Sequence, residues 1–498
     1  MSHGSSRASA FRDRHAAPME LLAGERFDIA SHGIAAAYAA WLLRELGADV
    51  RHETSLDPEG PGTYPAEGAT LAARPSIAAG ATNVVTDMPV TDENRRFLDG
   101  LATSARLTWI TPWGLDNPWS KRPSTDLCAQ AAGGWMSAVG EPDREPIGPP
   151  DSQASFIAGL FAAVNALRHH ASDSAGPGLS DISIVESVSA TTIYDPVAFQ
   201  YLERIRPRIG KRFGPAQPTL ITLPCKDGYV GIHAALHGQW LTLAKLIGHP
   251  ELVEDPRFAS PQERAAHTDE LDAYILPWLA KRTRFEAYHE LQQARIPASA
   301  TPSIPEVLAS PQLEARGAWR EVTHPSGKRV QVPGQVVRTD DVPDTAPTSA
   351  GDREDGPWQA GKLRVVDLSM GWAGPMVSHI LAGLGADVIK IESHTHFDWW
   401  RGSRPPGDDP SLALHERSHV FNGVNRGKRG VTLNLQTQAG AELGRQLIGS
   451  ADVVVENFGA GVVERLGLSY DTLKALNPGL IMLQQPGFGT GGPGIRAT

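Results

Sequence analysis

The sequence predicts an open α/β fold built from two related Rossmann-like units, and an internal repeat is the main reason. Two segments, FDIASHGIAAAYAAWLLRELGADV from residue 27 and VVDLSMGWAGPMVSHILAGLGADVIKIE from residue 365, share one order of features. Each has an apolar strand, a turn of small residues, a helix, a glycine stop and a second strand. Each is therefore predicted to be a βαβ unit with a buried parallel sheet, and the repeat indicates two modules.

The repeat continues downstream of these units. ATNVVTDMP (81–89) parallels ADVVVENFG (451–459), and RLTWITPWGLDNPW parallels LIMLQQPGFGTGGP (480–493). Residues 401–436, which include FNGVNRGKRGVTLNL, have no visible counterpart in the first copy. The first module is therefore predicted to be shorter at that point.

Segments that occur once lie between the two copies. Residues 151–170 are predicted to be a long helix, and DISIVES (181–187) is predicted to be a strand after a Gly-Pro-Gly turn. PCKDGYVGIHA reads as a hairpin, with helices expected around 240–247 and 271–279. These features predict a smaller α+β domain after the first large domain.

Composition and these patterns together suggest five regions. Residues 339–361 are acidic and rich in Pro, Gly, Ser and Thr, a composition typical of a linker. The second copy stops at Thr498 before the equivalent of the central helix, so we expect a fragment or a chain that another chain completes. The predicted regions are a disordered tail (1–20), a degenerate Rossmann-like large domain (21–214), a small domain with a return segment (215–338), the linker (339–361) and a truncated second module (362–498).

Composition also restricts the class of function. A length of 498 residues predicts two or three domains, and a net charge of −10 argues against nucleic acid or an anionic membrane as the main partner. Cys128 and Cys225 stand far apart, which excludes a disulfide framework and suits the cytoplasm. No apolar run approaches the ~18 residues of a membrane span, and the N-terminus lacks the apolar core of a secretory signal.

Three blocks of the second copy resemble the N-terminal half of the class III CoA-transferases, the family of formyl-CoA transferase, carnitine CoA-transferase and α-methylacyl-CoA racemase. They are the βαβ unit from residue 365, NRGKRGVTLNL, and the segment from ADVVVENFGAGVVERLG to GFGTGGP. AQAAGGWMSAVGEP, GPGLSDISIVES, CKDGYVGIH and SPQLEARG resemble the family's later half. The resemblance implies a fold of interlaced rings, either as a homodimer or as a pseudo-dimer within one chain, with coenzyme A as cosubstrate. Nothing in the sequence indicates a metal, nicotinamide or flavin.

The resemblance places the CoA site in the second module, where a buried strand delivers Asn457 and Phe458 to the edge at which open α/β sheets bind ligands. The family's matching Asn, Phe and Arg contact CoA, which implies the same role for Asn457, Phe458 and Arg465. The alternative is that Phe458 is a core residue and Asn457 a turn former. The same alignment adds four lining positions: Trp372, Leu433, Val462 and Leu466.

A basic turn, NRGKRG, offers a second signal for phosphate. It brings Arg426, Lys428 and Arg429 within four positions, a pattern that suits phosphate but also suits a solvated surface turn. Two positions depart from formyl-CoA transferase, because Ser393 stands where that enzyme has Arg and Gln436 where it has Lys.

The resemblance also implies a carboxylate nucleophile at the start of the central helix, which is Asp151 in DSQASFIAGLFAAVNALRHHA. The alternative interpretation is an N-cap, since Asp before an apolar helix is a preferred capping residue. A racemase of the family would add a His upstream, and no His lies between Asp87 and Asp151. In the first copy Asp87 and Met88 replace the Asn-Phe pair, which leaves a poor CoA pocket there.

These observations predict transfer of CoA between an acyl-CoA and a carboxylic acid through an enzyme aspartyl intermediate. The alternatives are a CoA-ester racemase or lyase of the same family, and a catalytically inactive structural partner of a CoA-transferase.

Overall fold

The computed structural model describes residues 21–56, 69–170, 176–212, 218–323, 327–334, 337–338, 363–402 and 414–494. The predicted tail (1–20) and linker (339–361) lie outside the described residues. Within the described ranges, every helix is too short or too polar to cross a membrane.

The first module is built on a parallel sheet whose strand order is β3-β2-β1-β4-β5-β6. The chain moves outward from β1 in one direction and then in the other, so the carboxyl ends of β1 and β4 border a crevice. The strands are β1 (Arg26–Ser31), β2 (Asp49–Thr54), β3 (Thr70–Leu71), β4 (Asn83–Thr86), β5 (Arg106–Thr111) and β6 (Gly178–Ser183).

Two helices rich in small residues cover one face of this sheet. In α1 (Ile34–Glu45) the alanines are buried against the alanines of α4 (Gln153–His170). A Cβ at Gly159 of α4 would lie 2.5 Å from the carbonyl oxygen of Ala35, so the two backbones approach closely there. The other helices of the module are α2 (Asp92–Leu101), α3 (Asp126–Ala132), α5 (Ile184–Thr191) and α6 (Tyr194–Leu202).

The DISIVES segment differs from its prediction as one strand. The strand β6 ends at Ser183, and α5 begins at the next residue. The Ser183 side chain accepts a hydrogen bond from the backbone N–H of Glu186, which caps α5. The strand ends here because Ser183 caps the first turn of α5, although the apolar residues Ile184 and Val185 follow.

The small domain encloses a separate core around the buried rings of Trp240 and Phe258. It contains an antiparallel sheet in the order β7-β8-β9, with the predicted hairpin as its first two strands, and a two-stranded ribbon, β10-β11. Its strands are β7 (Leu220–Cys225), β8 (Gly228–His233), β9 (Ala298–Ala300), β10 (Trp319–Thr323) and β11 (Arg329–Pro333). Its helices are α7 (His237–Leu246), α8 (Pro261–Ala266), α9 (Thr268–Leu279), α10 (Arg284–Gln293), α11 (Ile304–Leu308) and α12 (Pro311–Ala315).

The second module repeats the topology of the first. Its parallel strands follow the order β14-β13-β12-β15-β16, which corresponds to β3-β2-β1-β4-β5. The strands are β12 (Arg364–Asp367), β13 (Asp387–Glu392), β14 (Arg429–Thr432), β15 (Val453–Glu456) and β16 (Ile481–Gln484). The helices are α13 (Ala373–Gly383), α14 (Leu414–Arg417), α15 (His419–Asn425), α16 (Gln438–Gly449), α17 (Val462–Arg465) and α18 (Tyr470–Leu476).

The expectation that the first copy has no counterpart of residues 401–436 needs a correction. The two-residue strand β3 pairs with β2 in parallel, as β14 pairs with β13. The first module therefore keeps an edge strand equivalent to β14, although the sequence around it is not recognisable. Two residues are enough to pair with β2 at the edge of the sheet.

The two modules contact each other within the chain. The Tyr194 ring, at the start of α6, meets the Trp372 ring edge-on with centroids 3.8 Å apart. On another side, the Gln312 side-chain amide donates to the carbonyl oxygens of Phe488 (2.6 Å) and Gly491 (2.8 Å) and accepts from Gly494 N–H (2.6 Å). One helix of the first half thus holds the glycine-rich loop after β16.

We expect Gly159→Ala to destabilise the first module by about 1–3 kcal/mol, because the new methyl group must displace the backbone of α1. Gly383→Ala is the matched control, since a Cβ at that helical glycine meets no atom within 4 Å. Denaturant unfolding measures both, and equal effects of the two substitutions would contradict the close approach of α1 and α4.

Candidate functional site

The candidate site of the second module begins with a tight turn between β12 and α13. Gly371 has φ +76°, and a Cβ there would lie 2.3 Å from the Trp399 ring. A Cβ at Gly374 would lie 2.2 Å from the Ser369 Cβ. The small residues of this turn are therefore a steric requirement, and they bring the backbone to the edge of the sheet.

This turn leaves the N-terminus of α13 without a capping side chain. The N-cap residue is Trp372, whose side chain makes no capping hydrogen bond. Among the described residues, the backbone N–H groups of Ala373 and Gly374 have no hydrogen-bond acceptor. A helix N-terminus with free N–H groups attracts anions such as phosphate.

Asn457 lies beside this turn, immediately after β15. Its side-chain oxygen accepts from Met370 N–H (2.9 Å), and its amide nitrogen donates to the Met370 carbonyl (2.8 Å). Both ends of the amide are therefore engaged with the backbone of the turn. Asn457 therefore fixes the turn between β12 and α13.

The apolar residues predicted for the site lie together around β15. The side chains of Leu433, Phe458 and Leu466 are half-buried against one hydrophobic cluster. Val462 begins the short helix α17 and Arg465 ends it; the Arg465 side chain is exposed and has no hydrogen-bond partner among the described residues. Six of the seven predicted CoA positions thus share this edge of the sheet.

Trp372 is the seventh predicted position, and its ring packs away from this group. It contacts Tyr194 and belongs to an aromatic cluster with Trp400 and Phe421. Since Tyr194 comes from the first module, Trp372 lies at the contact between the two modules.

The basic turn differs from the arrangement that a phosphate site needs, because Lys428 is buried. Its side chain is 2% exposed, and its ammonium group donates to Asp367 (2.9 Å), the Pro375 carbonyl (2.8 Å) and Asn425 (2.7 Å). Burial lowers the pKa of Lys428 to about 8, while the Asp367 carboxylate opposes this shift. Lys428 therefore neutralises a buried carboxylate inside the module.

The two arginines of the basic turn remain at the surface. Arg429 forms an ion pair with Asp387 on the neighbouring strand. The Arg426 guanidinium lies 3.5 Å from the His379 ring nitrogen Nε2. Of the three cations predicted from NRGKRG, only these two are placed where a ligand could reach them.

Beneath the turn lies a buried network of charges centred on Asp367. Lys390, 2% exposed, lies 3.9 Å from Asp367 and 3.3 Å from Asp398 and donates to the Ser369 carbonyl at 2.6 Å. Burial opposes ionisation of Asp367, but Lys390 and Lys428 hold its pKa below the usual value. Burial raises the pKa of Asp398, although Lys390 and the hydrogen bond that Asp398 accepts from Gly371 N–H oppose this shift.

Asp151, the predicted nucleophile, lies in the first module just before α4. Its backbone adopts φ +61°, its side chain is exposed, and it has no hydrogen-bond partner among the described residues. The cap of α4 comes from Asp126 instead, whose carboxylate accepts from the N–H groups of Ala154 (3.2 Å) and Ser155 (2.8 Å). The alternative interpretation of Asp151 as a helix cap is therefore wrong.

Comparison with known proteins decides the family. The family model described as CoA-transferase family III matches residues 107–352 and 361–496, more than half of the chain. The chain belongs to CoA-transferase family III. The predicted family and the enzyme class of its members are thereby confirmed.

Several relatives carry names that agree with this family. A probable CoA-transferase of Mycobacterium tuberculosis is 29% identical over 412 residues, which cover 77% of this chain and 50% of that protein. A succinate–glutarate CoA-transferase of Agrobacterium fabrum is 39% identical over 131 residues, 26% of this chain and 33% of that protein. A formyl-CoA:oxalate CoA-transferase of Streptomyces coelicolor is 40% identical over 130 residues, 26% of this chain and 30% of that protein. The chain spans half or less of the length of these relatives.

A solved structure supports the fold. A CaiB/BaiF family protein from Brucella suis matches with a TM-score of 0.50 and 23% identity, over 65% of this chain and 94% of that protein. This likeness confirms the predicted α/β fold of the family III chain.

The equivalent crevice of the first module holds a cleft of about 510 Å³ at the carboxyl ends of β1, β4 and β5. Asp87 lies on its wall and accepts hydrogen bonds from the N–H groups of His32 (2.5 Å), Gly33 (3.1 Å) and Ala36 (3.2 Å). Burial raises the pKa of Asp87 to about 6, although the three N–H donors oppose this shift.

Sequence reasoning missed the roles of Asp126, Lys428 and the Asp367 network. Asp126 is 25 residues from Asp151 in sequence and carries no local signal of its role. The network did have a signal, because Lys390 interrupts the apolar strand DVIKIE and a lysine in a buried parallel strand needs an acidic partner.

We expect Lys428→Met to lower the free energy of unfolding by about 3–5 kcal/mol, because it leaves a buried carboxylate short of a partner. Arg429→Met is the matched control; its ion pair is exposed, and its loss should cost about 1 kcal/mol or less. Denaturant unfolding separates the two. Weakened CoA binding without any loss of stability in Lys428→Met would return Lys428 to the ligand site.

Proposed function

We propose that this chain takes part in transferring CoA between an acyl-CoA thioester and a free carboxylic acid, and that its second module binds CoA. The observation that carries the proposal is the open N-terminus of α13 beside the half-buried apolar side chains at the end of β15. The N–H groups of Ala373 and Gly374 suit a phosphate group, and Phe458 and Leu466 suit the apolar parts of the cosubstrate.

Arg465 supports this proposal by its exposure. An exposed guanidinium without an acidic partner among the described residues, on the short helix that follows β15, suits a phosphate of CoA. The role of Asn457 is then indirect, since its amide fixes the turn that presents the N–H groups.

Asp151 is proposed as the nucleophile. An exposed carboxylate with no hydrogen-bond partner among the described residues is available for attack. It lies at the start of a helix whose own N–H groups are already capped by Asp126. The capping role and the proposed chemical role therefore fall on different residues.

The proposed reaction exchanges thioester and anhydride bonds. A carboxylate oxygen of Asp151 attacks the acyl carbon of the donor, the C–S bond breaks, and CoA leaves as a thiolate from a mixed anhydride. The thiolate then attacks the aspartyl carbonyl and releases the donor acid, which leaves an aspartyl–CoA thioester. The acceptor carboxylate attacks that thioester, which releases CoA as a thiolate and forms a second mixed anhydride between the acceptor and Asp151. The thiolate attacks the acceptor's acyl carbon in this anhydride, which forms the new acyl-CoA and frees Asp151.

The contact between the modules suggests an assembly. Two contacts join modules of the same topology within one chain. The ring of Tyr194 packs edge-on against Trp372, and the Gln312 side chain hydrogen-bonds to the backbone of residues 488–494. These contacts favour the pseudo-dimer within a chain over a homodimer of separate modules.

We expect Arg465→Ala to weaken CoA binding by about 1.5–3 kcal/mol, the contribution of a charged hydrogen bond to phosphate. Lys474→Ala, a loss of positive charge on the next helix, is the matched control and should leave the affinity unchanged. Isothermal titration calorimetry with CoA measures both. Unchanged affinity in a folded Arg465→Ala chain would remove Arg465 from the site.

We expect Asp151→Asn to abolish CoA transfer and to leave stability nearly unchanged, because Asp151 makes no bond among the described residues. Asp126→Ala should instead cost about 1 kcal/mol of stability, the usual contribution of a helix cap. Succinyl-CoA with glutarate and formyl-CoA with oxalate, the pairs that the relatives' names give, are the first substrates to assay.

A trapping experiment tests the intermediate directly. The chain is incubated with acyl-CoA and hydroxylamine, and the peptide that carries Asp151 is examined by mass spectrometry for a hydroxamate. Turnover without an adduct on that peptide would place the nucleophile elsewhere. Absence of both turnover and adduct would support the inactive structural partner.

A further inference from the structure

The two modules place different side chains at one structurally equivalent point. Asp87 follows β4 and Asn457 follows β15, and these strands occupy the same position in the two sheets. Within the described part of the chain, the side chain of Asn457 bonds to Met370, which precedes α13. Asp87 accepts from three backbone N–H groups, those of His32, Gly33 and Ala36, and the last of these lies in the first turn of α1.

The Asp87 carboxylate therefore supplies the negative charge that a helix N-terminus attracts. The N-cap residue Gly33 has no side chain to cap the helix, and a Cβ there would lie 3.1 Å from the Asp87 carboxylate. The carboxylate is thus packed directly against the helix end. In the second module the equivalents of His32 and Gly33 are Met370 and Gly371, whose N–H groups donate to Asn457 and to the Asp398 carboxylate. The equivalent of Ala36 is Gly374, whose N–H has no acceptor among the described residues.

We propose that Asp87 is an internal anion that occupies the phosphate position of the first module, so that the chain binds CoA in its second module alone. This inference rests on the proposed CoA site at α13. An incoming phosphate at α1 would meet N–H groups that are already bonded and a like charge in close contact. The rest of the cleft is lined by apolar side chains such as Ile34 and Val90 and by polar ones that include Lys121 and Arg122, of which Lys121 is paired with Asp92.

Hydrogen–deuterium exchange of the full chain, read by mass spectrometry, tests this inference because it reports each module separately. With saturating CoA, we expect severalfold slower exchange in peptides that cover 369–376 and 457–466, and unchanged exchange in peptides that cover 31–37. Calorimetry on the same samples should give one CoA per chain. Slower exchange at 31–37 in the wild-type chain, or two CoA per chain, would overturn the inference.

The second arm removes the internal anion. In Asp87→Ala, inorganic pyrophosphate should slow exchange at 31–37, whereas the wild-type chain should show no change there. Asp87→Asn removes the charge, copies the arrangement of Asn457 and serves if the alanine variant does not fold. No effect of pyrophosphate at 31–37 in either folded variant would overturn the inference.

The two arms separate this inference from the proposed function. A wild-type chain in which CoA changes exchange in neither module would contradict the proposed CoA site. The pyrophosphate arm would then still decide whether Asp87 fills the anion position of α1.

Discussion

The second module depends on the buried carboxylate of Asp367 more than on any other single group. It ends the central strand β12 and is completely buried, and it accepts hydrogen bonds from Ser369, Ser378 and Lys428. A buried charge without partners is strongly unfavourable, so the loop with Lys428 must lie where it does whenever the module is folded. Because the buried carboxylate must keep these partners, the network fixes the geometry of the turn that precedes α13.

The two modules show how one topology supports different uses. Their sheets have the same strand order, and both place a polar residue after the fourth equivalent strand. In one module that residue is an amide that holds a turn, and in the other it is a carboxylate that binds a helix N-terminus. A difference of one functional group, –NH₂ against –O⁻, places a negative charge in one crevice where the other has a neutral amide.

The sequence predicted the parts of the structure that depend on local periodicity. The repeat identified both βαβ units, and the alternation of apolar runs with Gly and Pro located the hairpin and the helices near Trp240 and Leu271. It did not reveal β3, because a two-residue strand has no period of its own. It also assigned Lys428 to the surface. The ion pair that buries this lysine is made with Asp367, 61 residues away, and the sequence of a basic turn does not show such a distant partner.

The hold of Gln312 on the glycine-rich loop has a consequence for how the chain reaches its native state. Gln312 and Gly494 are separated by 182 positions in sequence, and their hydrogen bond joins the first half of the chain to the second module. Contacts of such long range contribute only after the intervening chain has ordered, since closing the loop earlier costs conformational entropy without compensation. We therefore expect the two halves to dock late in folding, and the loop that follows β16 to acquire its final shape only then.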